Sequence, residues 1–293
     1  MSSNHSSLIV ITGASRGIGR AIAISIANAC TKEPTALPMP IHVVLIARDE
    51  QLLLENVRLV REKCGESTII TTTCHAVDLS DLNSLSTRLN DIFEPLKQHD
   101  YDHCWLFNNA GSVEPLGPTT LLANGSIDEL RRSIDLNVTA SMWLSSMFAI
   151  SFSSTARSVR IVNISSLCAI EPFATMAVYC AGKSARDMFH AVLAKEMAGK
   201  DDQKDNSTTT DVENEQKARS AFKVLNYAPG ACDTTMTDVL ADCTTLDAGL
   251  HDYFTSSKKE CKLIDPADSA GKLIELLLKD EYVSGSHVDY WDV

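Results

Sequence analysis

The stretch Leu8-Ile9-Val10-Ile11-Thr12-Gly13-Ala14-Ser15-Arg16-Gly17-Ile18-Gly19-Arg20 decides how the chain folds. Residues 8–12 form a short apolar, β-branched run of the kind that makes a buried strand. Residues 18–30 carry the spacing of an amphipathic helix. The glycines therefore stand where a strand hands over to a helix. Spaced G-x-x-x-G-x-G, they let the backbone turn tightly and approach a pyrophosphate, whose charge faces the helix N-terminus. A glycine pattern alone is a weak signal and serves equally as a structural turn. Its place between strand and helix makes Gly13, Ser15, Arg16, Gly17, Ile18 and Gly19 candidate contacts of a dinucleotide.

The alternation continues downstream. Apolar runs predict strands at 41–47, 68–77, 103–107, 159–164, 222–226 and 287–290. Helical spacing covers 50–63, 82–97, 127–152, 178–197 and 266–278, the last opened by Pro266. Repeated β-α-β units imply an α/β fold, a single Rossmann-type doubly wound parallel sheet with helices on both faces. One domain over 1–293 accommodates them all. Two stretches interrupt the pattern. Residues 33–40 hold three prolines and predict a rigid connector. Residues 199–220 are polar, with a Ser-Thr-Thr-Thr run, and predict a surface loop. Both fall between a helix and the next strand, hence at the N-terminal edge of the sheet. Ligands bind at the opposite edge.

The 293 residues are 44% hydrophobic, enough for a sizeable core. A formal net charge of −12 argues against nucleic acid or an anionic membrane as the main partner. Any anionic ligand must then be held by local donors. Nine cysteines, with no Cys-x-x-Cys pair and no zinc-ligand spacing, predict reduced, mostly buried thiols and no metal site. No apolar run approaches the ~20 residues that span a bilayer, and residues 1–7 lack a basic region. The expectation is a cytoplasmic protein without a membrane partner.

Charge at the strand ends bears on the cofactor. An NAD site usually carries an acidic residue after the second strand, where it holds the ribose 2′-hydroxyl. Here Arg48 occupies that place, followed by Asp49, and Arg16 lies in the glycine turn. Two guanidinium groups suit a 2′-phosphate and predict NADPH/NADP+ as the cofactor. Asp78-Leu79 ends the third strand, where a carboxylate can meet the adenine. Asn109-Ala110-Gly111 follows the fourth, where small residues let a cofactor lie close.

Tyr179-Cys180-Ala181-Gly182-Lys183 places a phenol and an amine four residues apart on one helix face. A free phenol, with a pKa near ~10, is a poor proton carrier at neutral pH. A neighbouring ammonium is expected to lower it, and the same lysine can reach a ribose. Ser166, after the strand at 159–164, can hold a carbonyl oxygen beside the phenol.

Together the glycine turn, Asn108–Gly111, Asn137 in Leu-Asn-Val, Ser166, Tyr179 with Lys183, and Pro229-Gly230 before Thr234 resemble the short-chain dehydrogenase/reductase family. The likeness spans nearly the whole chain apart from the two interruptions. It implies that Tyr179 is the general acid, that Lys183 binds the ribose and tunes the tyrosine, and that Ser166 orients the carbonyl. Asn137 would support a water-linked proton relay. Cys232, Thr234 and Met236 would border the cofactor, and the long helices would pair two copies into a homodimer.

Longer stretches narrow the substrate by resemblance. Asn163-Ile164-Ser165-Ser166-Leu167-Cys168-Ala169, Tyr179 to Met188, Leu225 to Gly230, and Ser284 to Tyr290 resemble family members that reduce pterin side-chain carbonyls with NADPH in tetrahydrobiopterin synthesis. That resemblance implies a small-molecule pterin or dicarbonyl partner, bordered by Ser166, Tyr179 and Gly230. Asp289 would anchor the pterin, since a carboxylate can accept from its paired amino and ring N–H donors. The loop Ala231-Cys232-Asp233-Thr234-Thr235-Met236 and the tail Tyr290-Trp291-Asp292-Val293 depart from the pattern, which leaves the ranking of pterins against other dicarbonyls open. Cys168, Cys180 and Cys232 read as apolar fillers, because Tyr179 supplies the chemistry. A broad carbonyl reductase of dicarbonyls or quinones is the alternative enzyme. A non-catalytic NADPH-sensing regulator is the alternative of another class, although all four catalytic positions are filled.

Overall fold

The β-branched runs become seven parallel strands: β1 (Ser7–Thr12), β2 (Ile41–Ala47), β3 (Ile70–Ala76), β4 (His103–Asn108), β5 (Ser158–Ile164), β6 (Ala221–Ala228) and β7 (His287–Asp289). The computed structural model describes residues 6–64, 70–202 and 221–293. Within them the sheet order is β3-β2-β1-β4-β5-β6-β7. The chain builds outward from β1 to β3, then returns to place β4 on the other side of β1. That reversal opens a crevice at the carboxyl ends of β1 and β4.

Helices α1 (Gly17–Lys32), α2 (Glu50–Cys64) and α9 (Pro266–Lys279) cover one face; α3 (Leu82–Leu96), α5 (Ala140–Phe152) and α6 (Ala177–Asp202) cover the other. Alternation along β1 assigns the layers: Ile9 and Ile11 pack with Ile22, Ile26 and Leu273, whereas Leu8 and Val10 pack with Leu89, Phe93 and Phe148. Phe93 meets Phe148 and Phe152 edge-on, at 6.2 and 6.3 Å between ring centroids. Fully burying side chains of this size stabilises the fold by roughly 1.5–3 kcal/mol each. The doubly wound sheet expected from the alternation is the one observed.

Some elements differ from expectation. The stretch 127–152 is not one helix but α4 (Ile127–Ile134) and α5, joined by a π-helical turn at Asp135–Thr139. Within that turn the Asn137 amide bonds to the backbone of Ser112 instead of facing solvent. Two helices, α7 (Thr235–Asp242) and α8 (Ala248–Lys259), occupy a region where no helix was expected. Helix α6 continues through Asp202, so residues 199–202 of the expected loop are helical; 203–220 lies outside the described residues, as do Thr68 and Ile69 of the predicted third strand. The connector 33–40 precedes β2 as expected and is tied down: Leu37 is buried in the core, and Ser7 donates to Pro38 O (2.7 Å) and Pro40 O (3.0 Å). All nine cysteines are free thiols.

Candidate active site

The glycine turn and the turn after β4 are laced together. Thr12 Oγ1 accepts from the backbone N of Asn109 and Ala110, at 3.0 and 3.1 Å, while Asn109 Nδ2 donates to Thr12 O and Gly13 O, at 2.9 and 3.2 Å. Gly13 and Gly17 have positive φ, 62° and 54°. A Cβ on Gly19 would lie 2.3 Å from Gly13 O, and one on Gly17 would meet Thr234 Cγ2 at 3.3 Å. The cradle is therefore one that only glycine leaves open, and it brings Thr234 from the start of α7 to the turn. Arg16 makes no side-chain cap at the start of α1, and no acidic residue stands in its first turn. The N–H groups there are available to an anion, so the residues present fit a dinucleotide pyrophosphate.

Arg16 and Arg48 are both exposed at this edge. Partial burial pushes the Asp78 carboxyl up, but bonds from Ser80 and the Arg48 charge outweigh it and hold the group below its ordinary range. The Arg48 charge thus reaches Asp78 across adjoining strand ends, and Leu79 is buried. Asp49 caps α2, its Oδ1 accepting from Leu52 N at 3.0 Å.

Tyr179 is buried at the start of α6; its hydroxyl points at Met236 Sδ, 3.9 Å away, and the Ser166 hydroxyl is near enough to favour the ionised phenol. Lys183 Nζ donates to Ile164 O at 2.6 Å and stands 5.5 Å from the centre of the Tyr179 ring. Burial, reinforced by Cys168, pushes the phenol up, against the pull of Ser166 and Arg186. Burial and the Arg186 charge push Lys183 well down. The expected lowering of the phenol by Lys183 is therefore not what the folded site holds; desolvation prevails, and Tyr179 keeps its proton. Met236, expected at the cofactor, lies against the Tyr179 hydroxyl.

Asn137 is buried beside Gly111 and Gly182. Its Oδ1 accepts from Ser112 N (2.9 Å), and its Nδ2 donates to Ser112 O (2.9 Å) and Ser133 Oγ (3.3 Å). The amide shapes the loop after β4. Above Tyr179, helices α7 and α8 close an apolar cluster of Val113, Cys168, Met176, Leu240 and Leu246. Burial raises the Cys168 thiol to about 11 and Cys232 to about 12, as fits fillers rather than nucleophiles.

Asp289 ends β7 as the register partner of Ala228, two residues before Gly230. Its Oδ1 accepts from Trp291 N at 3.1 Å. A Cβ on Gly230 (φ 74°) would lie 2.4 Å from Ile264 Cδ1 and 3.6 Å from Tyr290 Cβ, so the turn runs close under the tail. Lys272 donates to Tyr290 O (3.1 Å) and Val293 O (2.7 Å), which pins that tail.

Sequence reasoning missed a buried polar layer beneath these residues. Arg186, fully buried, donates to Asn163 Oδ1 (2.7 Å), Ala110 O (2.9 Å) and Asn108 O, and so holds the turn after β4. Burial brings its guanidinium down to about 10. Asp187 accepts from Asn163 Nδ2 (2.9 Å), Ser165 Oγ (2.6 Å) and His287 Nδ1 (2.6 Å). The visible signal was an asparagine near the end of each of three apolar strands: Asn108, Asn163 and Asn226.

Comparison with known proteins agrees with this architecture. The family model for short chain dehydrogenase matches residues 7–201. The sepiapterin reductase of Rattus norvegicus is 34% identical over 286 residues, 97% of this chain and 96% of that protein, and the one of Meriones unguiculatus is 35% identical over 97% and 95%. A benzil reductase, (S)-benzoin forming, of Bacillus cereus is 27% identical over 94% of this chain and 96% of that protein. Among solved structures, the KRED1-Pglu enzyme superposes with a TM-score of 0.72 at 20% identity, over 96% of this chain and all of that one. L-sorbose reductase from Gluconobacter frateurii, solved with NADPH and L-sorbose, gives 0.69 at 22%, over 98% and 95%. At those identities the likeness is one of fold.

Proposed function

Because the chain belongs to the short chain dehydrogenase family, and is thereby a nicotinamide-dependent oxidoreductase, we propose that it reduces the side-chain carbonyls of pterins with NADPH. Sepiapterin and 6-pyruvoyl-tetrahydropterin are the substrates this reading names, in tetrahydrobiopterin synthesis. One observation carries it: a buried, proton-bearing Tyr179 beside Ser166, at the sheet edge where β7 ends in Asp289. The sepiapterin reductases that are similar over nearly full length support the pterin assignment.

Ser166 donates to the substrate carbonyl oxygen and fixes it beside the phenol. Tyr179 delivers its proton from Oη to that oxygen as negative charge develops there. The raised phenol suits this direction of chemistry, because an acid must arrive protonated. Lys183 holds the strand end at Ile164 O and would reach the ribose of the cofactor. The glycine turn would take the pyrophosphate and Arg16 with Arg48 the 2′-phosphate; when bound, the nicotinamide supplies the hydride. The apolar roof of α7 and α8 excludes water from the reacting oxygen. The chain is read as one cytoplasmic domain that works as a homodimer.

A second reading, a broad dicarbonyl reductase, is favoured by that apolar roof and by the similarity to benzil reductase. One assay separates the two. Purified protein is mixed with NADPH and either sepiapterin or diacetyl, and loss of the chromophores is followed. The pterin reading expects kcat/KM for sepiapterin at least about tenfold above that for diacetyl. A preference for diacetyl would favour the broad reductase, and no turnover of either would remove both.

A further inference from the structure

Asn108, Asn163 and Asn226 occupy one register row across β4, β5 and β6, and His287 continues the row on β7. Asn163 Nδ2 donates to Asn226 Oδ1 at 2.9 Å. Helix α6 lies over the row, and Asp187 is its point of attachment. The carboxylate receives Asn163 and Ser165 from the β5 end and His287 from β7, while Asn226 Nδ2 donates to Asp187 O at 3.3 Å. Asp187 stands one turn beyond Lys183 and two turns beyond Tyr179 on the same helix. Buried polar groups are costly unless paired, and when paired they fix one arrangement of the elements that carry them.

Two observations extend that fixation to the substrate strand. His287 and Asp289 are two residues apart on β7 and point to the same side of the sheet, whereas Val288 packs into the opposite layer. The lead into β7 also comes unusually close to α6: a Cβ on Gly285 (φ 85°) would lie 2.9 Å from Ala194 Cβ and 3.4 Å from Ala191 Cα. The helix bearing the proton donor and the strand bearing Asp289 are thus docked closely, with the Asp187–His287 bond spanning the joint.

We propose that His287, through Asp187, is a positioning residue for substrate: it locks β7 to the Tyr179–Lys183 helix and so sets the reach between the ring-anchoring carboxylate and the proton donor. This rests on the reading of Asp289 as a pterin anchor. A ligand held only at its carbonyl does not need that reach. A pterin, held at both ends, does.

The test uses the whole enzyme with NADPH and two substrates, sepiapterin and diacetyl. His287→Leu is expected to raise KM for sepiapterin about tenfold, and to leave diacetyl kcat and the KM for NADPH within about twofold. His287→Asn, whose amide can donate where the ring Nδ1 did, is expected to bring KM for sepiapterin back to within about threefold. Should His287→Leu not give folded protein, His287→Met, which likewise removes the ring donor, is measured in its place with the same expectation. Asp289→Ala alone is expected to raise KM for sepiapterin, and adding His287→Leu to it should cost little more. If Asp289→Ala raises KM and His287→Leu does not, or if His287→Leu slows both substrates alike, the positioning role is wrong and the pterin reading stands. If Asp289→Ala itself leaves KM unchanged, the anchor reading fails and the positioning role goes with it.

Discussion

Tyr179 is held in its acid form by the desolvation of its own ring, stronger in this site than the hydroxyl of Ser166 or the charge of Arg186. Two expectations follow at this residue. Tyr179→Phe removes the proton at Oη while keeping the ring in its apolar cluster, so kcat should fall about 10²- to 10⁴-fold with the affinity for NADPH nearly unchanged. Turnover at the parental rate would dismiss the phenol as the acid. The sign of the shift also sets a pH profile: a phenol raised above its usual ~10 remains protonated throughout the neutral and mildly alkaline range. The rate should therefore show no loss from phenol ionisation up to about pH 9, which a kcat/KM profile would reveal. At the other end of the cofactor cradle, Arg48 already lies beside Asp78. A 2′-phosphate would have to share that guanidinium. Arg48→Ala should raise KM for NADPH about tenfold or more and leave NADH unaffected. Equal effects on the two cofactors would mean Arg48 does not read the phosphate.

Helix α6 combines the two catalytic groups, the Arg186 and Asp187 braces, and His190, whose ring joins Ser145 Oγ on α5 to Arg186 O, each at 2.8 Å. Burial pushes the imidazole down to about 4. The unfolded chain therefore binds this proton more readily than the folded one as pH falls below the unfolded value of ~6.5, and stability is lost until about pH 4. Between pH 7 and 5 that loss amounts to roughly 2 kcal/mol. His190→Gln abolishes the titration. It should be less stable than the parent at pH 7, and the gap should narrow by that amount at pH 5 in urea unfolding. A gap independent of pH would mean that folding leaves the ring's proton affinity unchanged, and a gap that widens at pH 5 would mean that the ring already carries its proton in the fold. These braces were hard to read from the letters, because an Arg-Asp pair in mid-helix looks like an ordinary solvated face. Only the sheet register brings Asn108, Asn163 and Asn226 under it. The strands and their order of appearance were legible because buried parallel strands are continuously apolar. Helices α7 and α8 were not, since Thr235–Asp242 and Ala248–Lys259 are short, rich in threonine, serine and charge, and stabilised by caps at Thr234 and Asp247 and by packing on Tyr179's cluster. The break at Asn137 was invisible for a similar reason: it coincides with bonds to Ser112, distant in sequence.

For the molecule as a whole, the apolar residues left on the surface favour the homodimer. Helix α5 exposes Trp143 (50%) and Ile150 (80%), two turns apart on one stripe, and α6 exposes Met188 (67%) and Val192 (45%), one turn apart. Both helices cover the same face of the sheet. Exposed apolar side chains of this size are what a stable interface of ~1,200–2,000 Å² would bury. Opposing association is a formal charge of −12 on each copy. Two such copies repel over a distance set by the Debye length, ~10 Å at 0.1 M salt, whereas apolar contact is short-ranged and not weakened by screening. Added salt should therefore tighten the dimer rather than loosen it. Ile150→Glu with Met188→Glu places two further charges in each half of the interface and should give a monomer at micromolar concentration in sedimentation equilibrium. The Tyr179 site lies at the carboxyl edge of the sheet, away from this stripe, so the monomer should retain NADPH binding. A parent protein that sediments as a monomer, or a dimer that weakens with salt, would place the interface elsewhere or make it electrostatic.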